Sequence, residues 1–238
     1  MAKTNDFDVN DTEKHHRPIR SFVRREGRLT RGQQRALDEL FPRFGLEPGD
    51  ARLDFAEAFG REAPVVLDIG FGDGEALAEM AANHPERNYL GIEVHRPGVG
   101  HLLLDVEKRG LTNVRVVIDD ANEVMRRNIP DAALAGIHLF FPDPWPKKRH
   151  HKRRLVQPAW LELAAAKLQP GGFLHLATDW ADYAEHMMTV VSDCPAFENP
   201  NGAGAFAPDP GERPQTKFEQ RGLRKGHEVW DLIVYRRS

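Results

Sequence analysis

The stretch Val65–Gly74, VVLDIGFGDG, constrains the fold of this 238-residue chain more than any other. An apolar run meets an acid and then three glycines at alternate positions, Gly70, Gly72 and Gly74. That order predicts a strand over 65–69, a tight glycine turn and a helix opening at Glu75, the usual entrance to a nucleotide-type site. The third glycine of a dinucleotide fingerprint would fall at position 75, which is glutamate, and Asp68 and Asp73 flank the turn. Carboxylates beside a pyrophosphate are repulsive. They suit a ligand that carries a sulfonium and an ammonium instead. The pattern points to S-adenosylmethionine rather than NAD or ATP, against the plain alternative of a tight turn with no ligand.

From Pro64 onward, short apolar runs alternate with helical patterns. Strands are expected over 65–69, 88–94, 114–118, 137–141, 173–177 and 228–236, with helices over 75–83, 97–109, 158–168 and 180–192. Pro170-Gly171-Gly172 reads as a turn and 199–214 as a Gly/Pro-rich loop. This alternation implies an α/β fold with a doubly wound, mostly parallel sheet. Upstream, Thr30–Gln33 reads as a capping box that opens a helix through Phe41, ended by Pro42 and the 45–50 stretch. Residues 1–16 read as a disordered tail, 17–62 as a basic segment with one helix, and 63–238 as the main domain.

In doubly wound sheets ligands bind beyond the carboxyl ends of the strands. Glu93 closes the second strand 23 residues after Gly70, a spacing that suits ribose hydroxyls or, more plainly, a cap on the following helix. Asp119-Asp120 closes the third, and Asp120 is preferred as an acceptor for an adenine amino group over a merely solvated turn. The fourth strand runs into FFPDPWPKKRHHKRR, Phe140–Arg154. Three prolines fix the backbone around Asp143 and Trp145. An acid and an aromatic held at a strand end resemble the Asp-Pro-Pro-Tyr type motif with which amino methyltransferases grip a base. Trp145 either stacks on that base or packs the loop. Asp179, after the fifth strand, either caps the next helix or faces the substrate.

Charge is clustered within a net charge of −3. Seven arginines between 17 and 35 stand against the single acid Glu26, and Lys147–Arg154 holds six cations without an acid. Two basic patches on an acidic body suggest a polyanionic partner, beyond a simple solvated face. A single cysteine, Cys194, excludes a disulfide framework and fits a reducing compartment. With no apolar signal-peptide core and no membrane-length apolar run, a cytoplasmic protein without a membrane partner is expected. The histidines show no metal-ligand spacing, so no metal is expected.

These residues together resemble the bacterial tRNA (guanine-N7)-methyltransferases. The likeness rests on RSFVRREGRLT (20–30), LDIGFGDG (67–74), GIEVHRPGVG (91–100), FFPDPWPKKRHHKRR (140–154), ATDW (177–180), TKFE (216–219) and GHEVWDL (226–232). It implies a seven-stranded Rossmann-like class I methyltransferase with helices on both faces and an antiparallel last strand. It also implies methylation of guanine 46 in the tRNA variable loop, with S-adenosylmethionine leaving as S-adenosylhomocysteine. By this resemblance Asp68, Glu93, Asp120 and Asp143 line the cofactor site together with Gly70 and Gly72, and Asp143 is also the catalytic acid. Lys147, Asp179, Thr216, Lys217, Phe218 and Glu219 would line the substrate side. Arg149, His150, His151, Lys152, Arg153 and Arg154 would meet RNA. Asp68 stands where the family usually has glutamate, and Glu228 where its closing motif often has a smaller residue. The rival readings are an RNA-binding protein with a vestigial cofactor pocket and a methyltransferase acting on a substrate other than RNA.

Overall fold

A computed structural model describes residues 27–215, 219 and 228–238. The expected tail, four of the N-terminal arginines, and Thr216, Lys217 and Phe218 lie outside the described residues. The helices are α1 (Arg31–Glu39), α2 (Phe41–Phe44), α3 (Phe55–Phe59), α4 (Glu75–Asn83), α5 (Arg96–Arg109), α6 (Ala121–Arg127), α7 (Pro158–Lys167) and α8 (Ala181–Ser192). The strands are β1 (Val65–Ile69), β2 (Asn88–Ile92), β3 (Val114–Val117), β4 (Leu134–Phe140), β5 (Leu168–Thr178), β6 (Phe197–Glu198) and β7 (Trp230–Arg236). They form one seven-stranded sheet in the order β3-β2-β1-β4-β5-β7-β6. The pairings are parallel from β3 through β5, and β7 runs antiparallel to both β5 and β6. The doubly wound α/β fold with a reversed last strand is the architecture the sequence leads one to expect.

Every residue of β1 is buried, because helices cover both faces of the sheet. Leu67 and Ile69 enter a core shared with α6, α7 and α8, whereas Val66 enters the core under α1, α4 and α5. Helix α1 begins at the expected capping box: Thr30 Oγ1 accepts the Gln33 N–H, and Gln33 Oε1 accepts the Thr30 N–H. Its Ala36 and Leu37 are buried in the α4–α5 core, so the described part of 27–62 packs onto the main sheet.

Several boundaries differ from expectation for local physical reasons. Pro42 does not end a helix but sits in the first turn of α2, where its missing N–H costs nothing. Helices α3 and α6 and strand β6 are additional, each too short to show a periodic pattern. Strand β5 starts at Leu168, so Pro170–Gly172 lies within the strand rather than turning out of it, with Gly171 in the left-handed region at φ 77°. Strand β4 extends back to Leu134. A side chain at Gly136 would meet the Phe173 ring at 2.2 Å, so the glycine lets the neighbouring aromatic cover the strand.

Candidate active site

Strand order reverses between β1 and β4, and beyond their carboxyl ends lies a cavity of about 540 Å³. This is the switch point at which doubly wound sheets take ligands, and the volume suits a cofactor-sized molecule. Four successive strand ends supply its wall: Gly70 and Gly72 after β1, Glu93 after β2, Asp119 and Asp120 after β3, and Asp143 after β4.

Gly70 and Gly72 adopt φ values of 70° and 63°, the left-handed region that glycine enters freely. A Cβ built on either meets nothing within 4 Å, so the turn leaves room for a ligand against its backbone. Glu93 holds this turn in place. Its Oε2 accepts the Gly72 N–H at 3.0 Å, and its Oε1 accepts the N–H groups of Val94 and His95 at 2.7 and 2.9 Å. Three of its roughly four acceptor positions are filled, which leaves capacity for one donor from the cavity. On the far side of the turn, Gly98 in α5 permits a close approach: a Cβ there would lie 1.9 Å from the Gly72 carbonyl oxygen.

Asp68 is placed differently. It is buried beneath the turn and is absent from the cavity wall. Burial, with Glu93's charge adding, pushes its pKa up to about 7. Asp120 is the N-cap of α6, and its Oδ1 accepts the Asn122 N–H at 2.9 Å. Asn122 also faces the cavity, and its Oδ1 is a buried acceptor with no partner among the described residues. Sequence reading missed Asn122 because it missed the helix that carries it.

The loop after β4 is held in a costly shape. Phe141 and Trp145, neither of them glycine, sit at φ 51° and 45°, conformations that cost about 1–3 kcal/mol each and persist only when packing enforces them. Between them Asp143 is exposed at the cavity rim. The Trp145 indole lies against the Arg153 guanidinium, 3.7 Å from ring centroid to Cζ, and edge-on to His150 at 6.0 Å. It packs the loop against the 3₁₀ turn Lys148–Arg153.

Lys147, Arg149 and Lys152 are exposed on this segment, and His150, His151 and Arg153 are half-buried. Arg154 corrects the sequence expectation of an RNA contact. Its side chain is 1% exposed, pairs with Asp182, donates to the Pro144 carbonyl at 2.9 Å and lies over the Tyr183 ring. It braces the loop from within. Asp179 is half-buried one residue ahead of Trp180, and Trp180 rather than Asp179 takes the N-cap position of α8.

Glu219 is buried and is held by Arg213, a residue that sequence reading passed over as part of a loop. Arg213 also binds Asp231 of β7. Burial opposes its charge, but the bonds from Asp231 and Glu219 outweigh that and raise its pKa above the usual arginine value. Asp231 in turn pairs with His175 at 2.8 Å. His138, beside His175 on the sheet, is kept neutral chiefly by burial.

A family model described as "Putative methyltransferase" matches residues 62–232. A tRNA (guanine-N(7)-)-methyltransferase of Alkalilimnicola ehrlichii is 68% identical, with the match covering 93% of this chain and 94% of that protein. A protein of the same name from Halorhodospira halophila is 63% identical, covering 91% of this chain and 94% of its own. This chain belongs to the tRNA (guanine-N7)-methyltransferase family. Among solved structures, the 16S rRNA methyltransferase KamB superposes with a TM-score of 0.56 at 18% identity, over 77% of this chain and 93% of that one. At that identity the likeness shows a shared fold, the class I methyltransferase sheet. Membership of the family agrees with the resemblance carried by the FPDPW and TKFE stretches.

Proposed function

We propose that this chain transfers the methyl group of S-adenosylmethionine to N7 of guanine 46 in the variable loop of tRNA. One observation carries the reading: Asp143 stands on the wall of the strand-end cavity, and the exposed cations of the same loop begin four residues later at Lys147. A cofactor site, a base site and a phosphate-binding segment therefore adjoin along one short piece of chain.

The cavity fits the cofactor. The turn at Gly70 and Gly72 offers open space against backbone, Glu93 keeps one acceptor position for a ribose hydroxyl, and Asp120 and Asn122 offer acceptors for an adenine amino group. When bound, S-adenosylmethionine supplies an electrophilic methyl group on a sulfonium. Guanine N7 has a lone pair and no proton, so no residue needs to act as a base. The chain must align the base and offset the positive charge that grows on it. The Asp143 carboxylate does both, accepting hydrogen bonds from guanine N1–H and the amino group. Lys147, Lys148, Arg149 and Lys152 neutralise tRNA phosphates. With tRNA as partner, the cytoplasm is the compartment in which the chain works.

The test is transfer of labelled methyl to an unmodified tRNA transcript, followed by nucleoside mapping. The reading expects 7-methylguanosine at position 46 and no transfer to a transcript with 7-deazaguanine there. Label on another atom or position would overturn it.

A further inference from the structure

Arg213 joins Glu219 to Asp231 of β7. Its Nε and Nη2 donate to the two oxygens of Asp231 at 2.7 and 2.8 Å, and its Nη1 and Nη2 donate to the two oxygens of Glu219 at 2.5 and 3.0 Å. The guanidinium thus makes two bidentate pairs in one plane, which the ammonium of lysine cannot reproduce. The same guanidinium carbon lies 5.4 Å from the Phe141 ring centroid and 5.9 Å from that of Phe140. Phe141 is the left-handed residue two positions before Asp143. Asp231 lies on β7 opposite Ala177 of β5, so the whole assembly rests on the central sheet.

We propose that Arg213 is a positioning residue for methyl transfer and that Glu219 acts through it, not by gripping the guanine. The pair forms a clasp between Glu219 and the root of the Asp143 loop. Both Glu219 oxygens are engaged by Arg213, and the Glu219 side chain is 7% exposed. A carboxylate so placed fixes the Arg213 guanidinium and, through it, sets the Asp143 loop by way of Phe140 and Phe141. Neither Arg213 nor Glu219 itself lines the cavity, whereas Phe140, Phe141 and Asp143 do, so the clasp reaches the cavity only through the Asp143 loop and touches none of the glycine turn, Glu93 or Asp120. Misplacing a reacting group by about 1 Å can cost on the order of 10²-fold in rate. This inference rests on the tRNA guanine-N7 activity proposed above.

The test compares the full-length wild type with Arg213→Lys, Glu219→Gln and the double variant. Calorimetry measures S-adenosylmethionine affinity, and single-turnover methyl transfer measures the rate at saturating tRNA. The clasp predicts cofactor affinity within about twofold of wild type for both single variants. It predicts rates reduced about 10- to 100-fold, with a double variant no slower than the worse single, because both changes break one unit. Independent losses that multiply would overturn it, as would a wild-type rate in Glu219→Gln. Should Arg213→Lys fail to fold, Glu219→Gln still decides, since Arg213 keeps Asp231 as a partner. Absence of transfer by the wild type would overturn the activity itself and the clasp with it; normal wild-type transfer with independent losses overturns the clasp alone.

Discussion

Glu93 and Gly72, 21 residues apart in the chain, are joined by one hydrogen bond: the carboxylate Oε2 accepts the Gly72 N–H at 3.0 Å. The end of β2 thereby fixes the glycine turn after β1. The same carboxylate gathers the N–H groups of Val94 and His95 at the entrance to α5. One buried acid shapes two walls of the cavity.

Glu93→Ala releases three backbone donors and loses the remaining acceptor position. Hydrogen bonds to a charged group contribute about 1.5–3 kcal/mol each. Affinity for S-adenosylmethionine is expected to fall at least 10- to 100-fold, read by calorimetry, with a smaller loss in Glu93→Gln. Unchanged affinity in the alanine variant would show that the turn holds its shape without Glu93.

Asp68 makes stability depend on pH. Its pKa is about 7 in the folded chain against 3.8 for an unperturbed aspartate. Between those values the folded state binds a proton that the unfolded state does not, so this contribution to stability falls as pH rises from about 4 to 7 and is lost above. At about 1.4 kcal/mol per pKa unit, the whole change is on the order of 4 kcal/mol. Asp68→Asn is expected to raise Tm at pH 8 and to change it little at pH 4. Thermal melts of both proteins across this range measure the difference. A parallel decline in the two would contradict the burial-driven shift.

The cationic segment divides by burial. Lys148→Ala with Lys152→Ala removes exposed charges and is expected to flatten the plot of log tRNA affinity against log salt, by about 0.7–0.9 for each phosphate no longer neutralised. Arg154→Ala removes a brace bonded to Pro144 and Asp182. It is expected to lower Tm and leave that slope unchanged. Fluorescence anisotropy over a salt series separates the two effects.

The parts of the site legible in the sequence are those written locally. Strand β1 and helix α4 follow from an apolar run interrupted only by Asp68, three glycines and the stop at Pro85. Asp143 shows itself through the prolines around it. Other parts exist only through contacts distant in sequence. Arg213 lies in a Gly/Pro-rich loop without periodicity, and its partner Asp231 arrives 18 residues later, on a strand that must first pair with β5. Gly98 looks like any helix residue until α5 docks on the Gly72 carbonyl. Arg154 reads as one cation among six, and only the approach of α8 with Asp182 and Tyr183 buries it. Asn122 depends on α6, whose seven residues are too few for a helical pattern. Asp120 has a helix-capping role that its reading as a ligand did not include.

Asp143 and its loop stand at the centre of the account, and the single-turnover rate of Asp143→Asn with S-adenosylmethionine and tRNA both saturating tests them most directly. If the carboxylate orients guanine and offsets the charge developing on it, the rate falls about 10²- to 10³-fold, the usual effect of removing one preorganised group, while calorimetry still registers cofactor binding. A variant that methylates N7 at the wild-type rate would contradict the account.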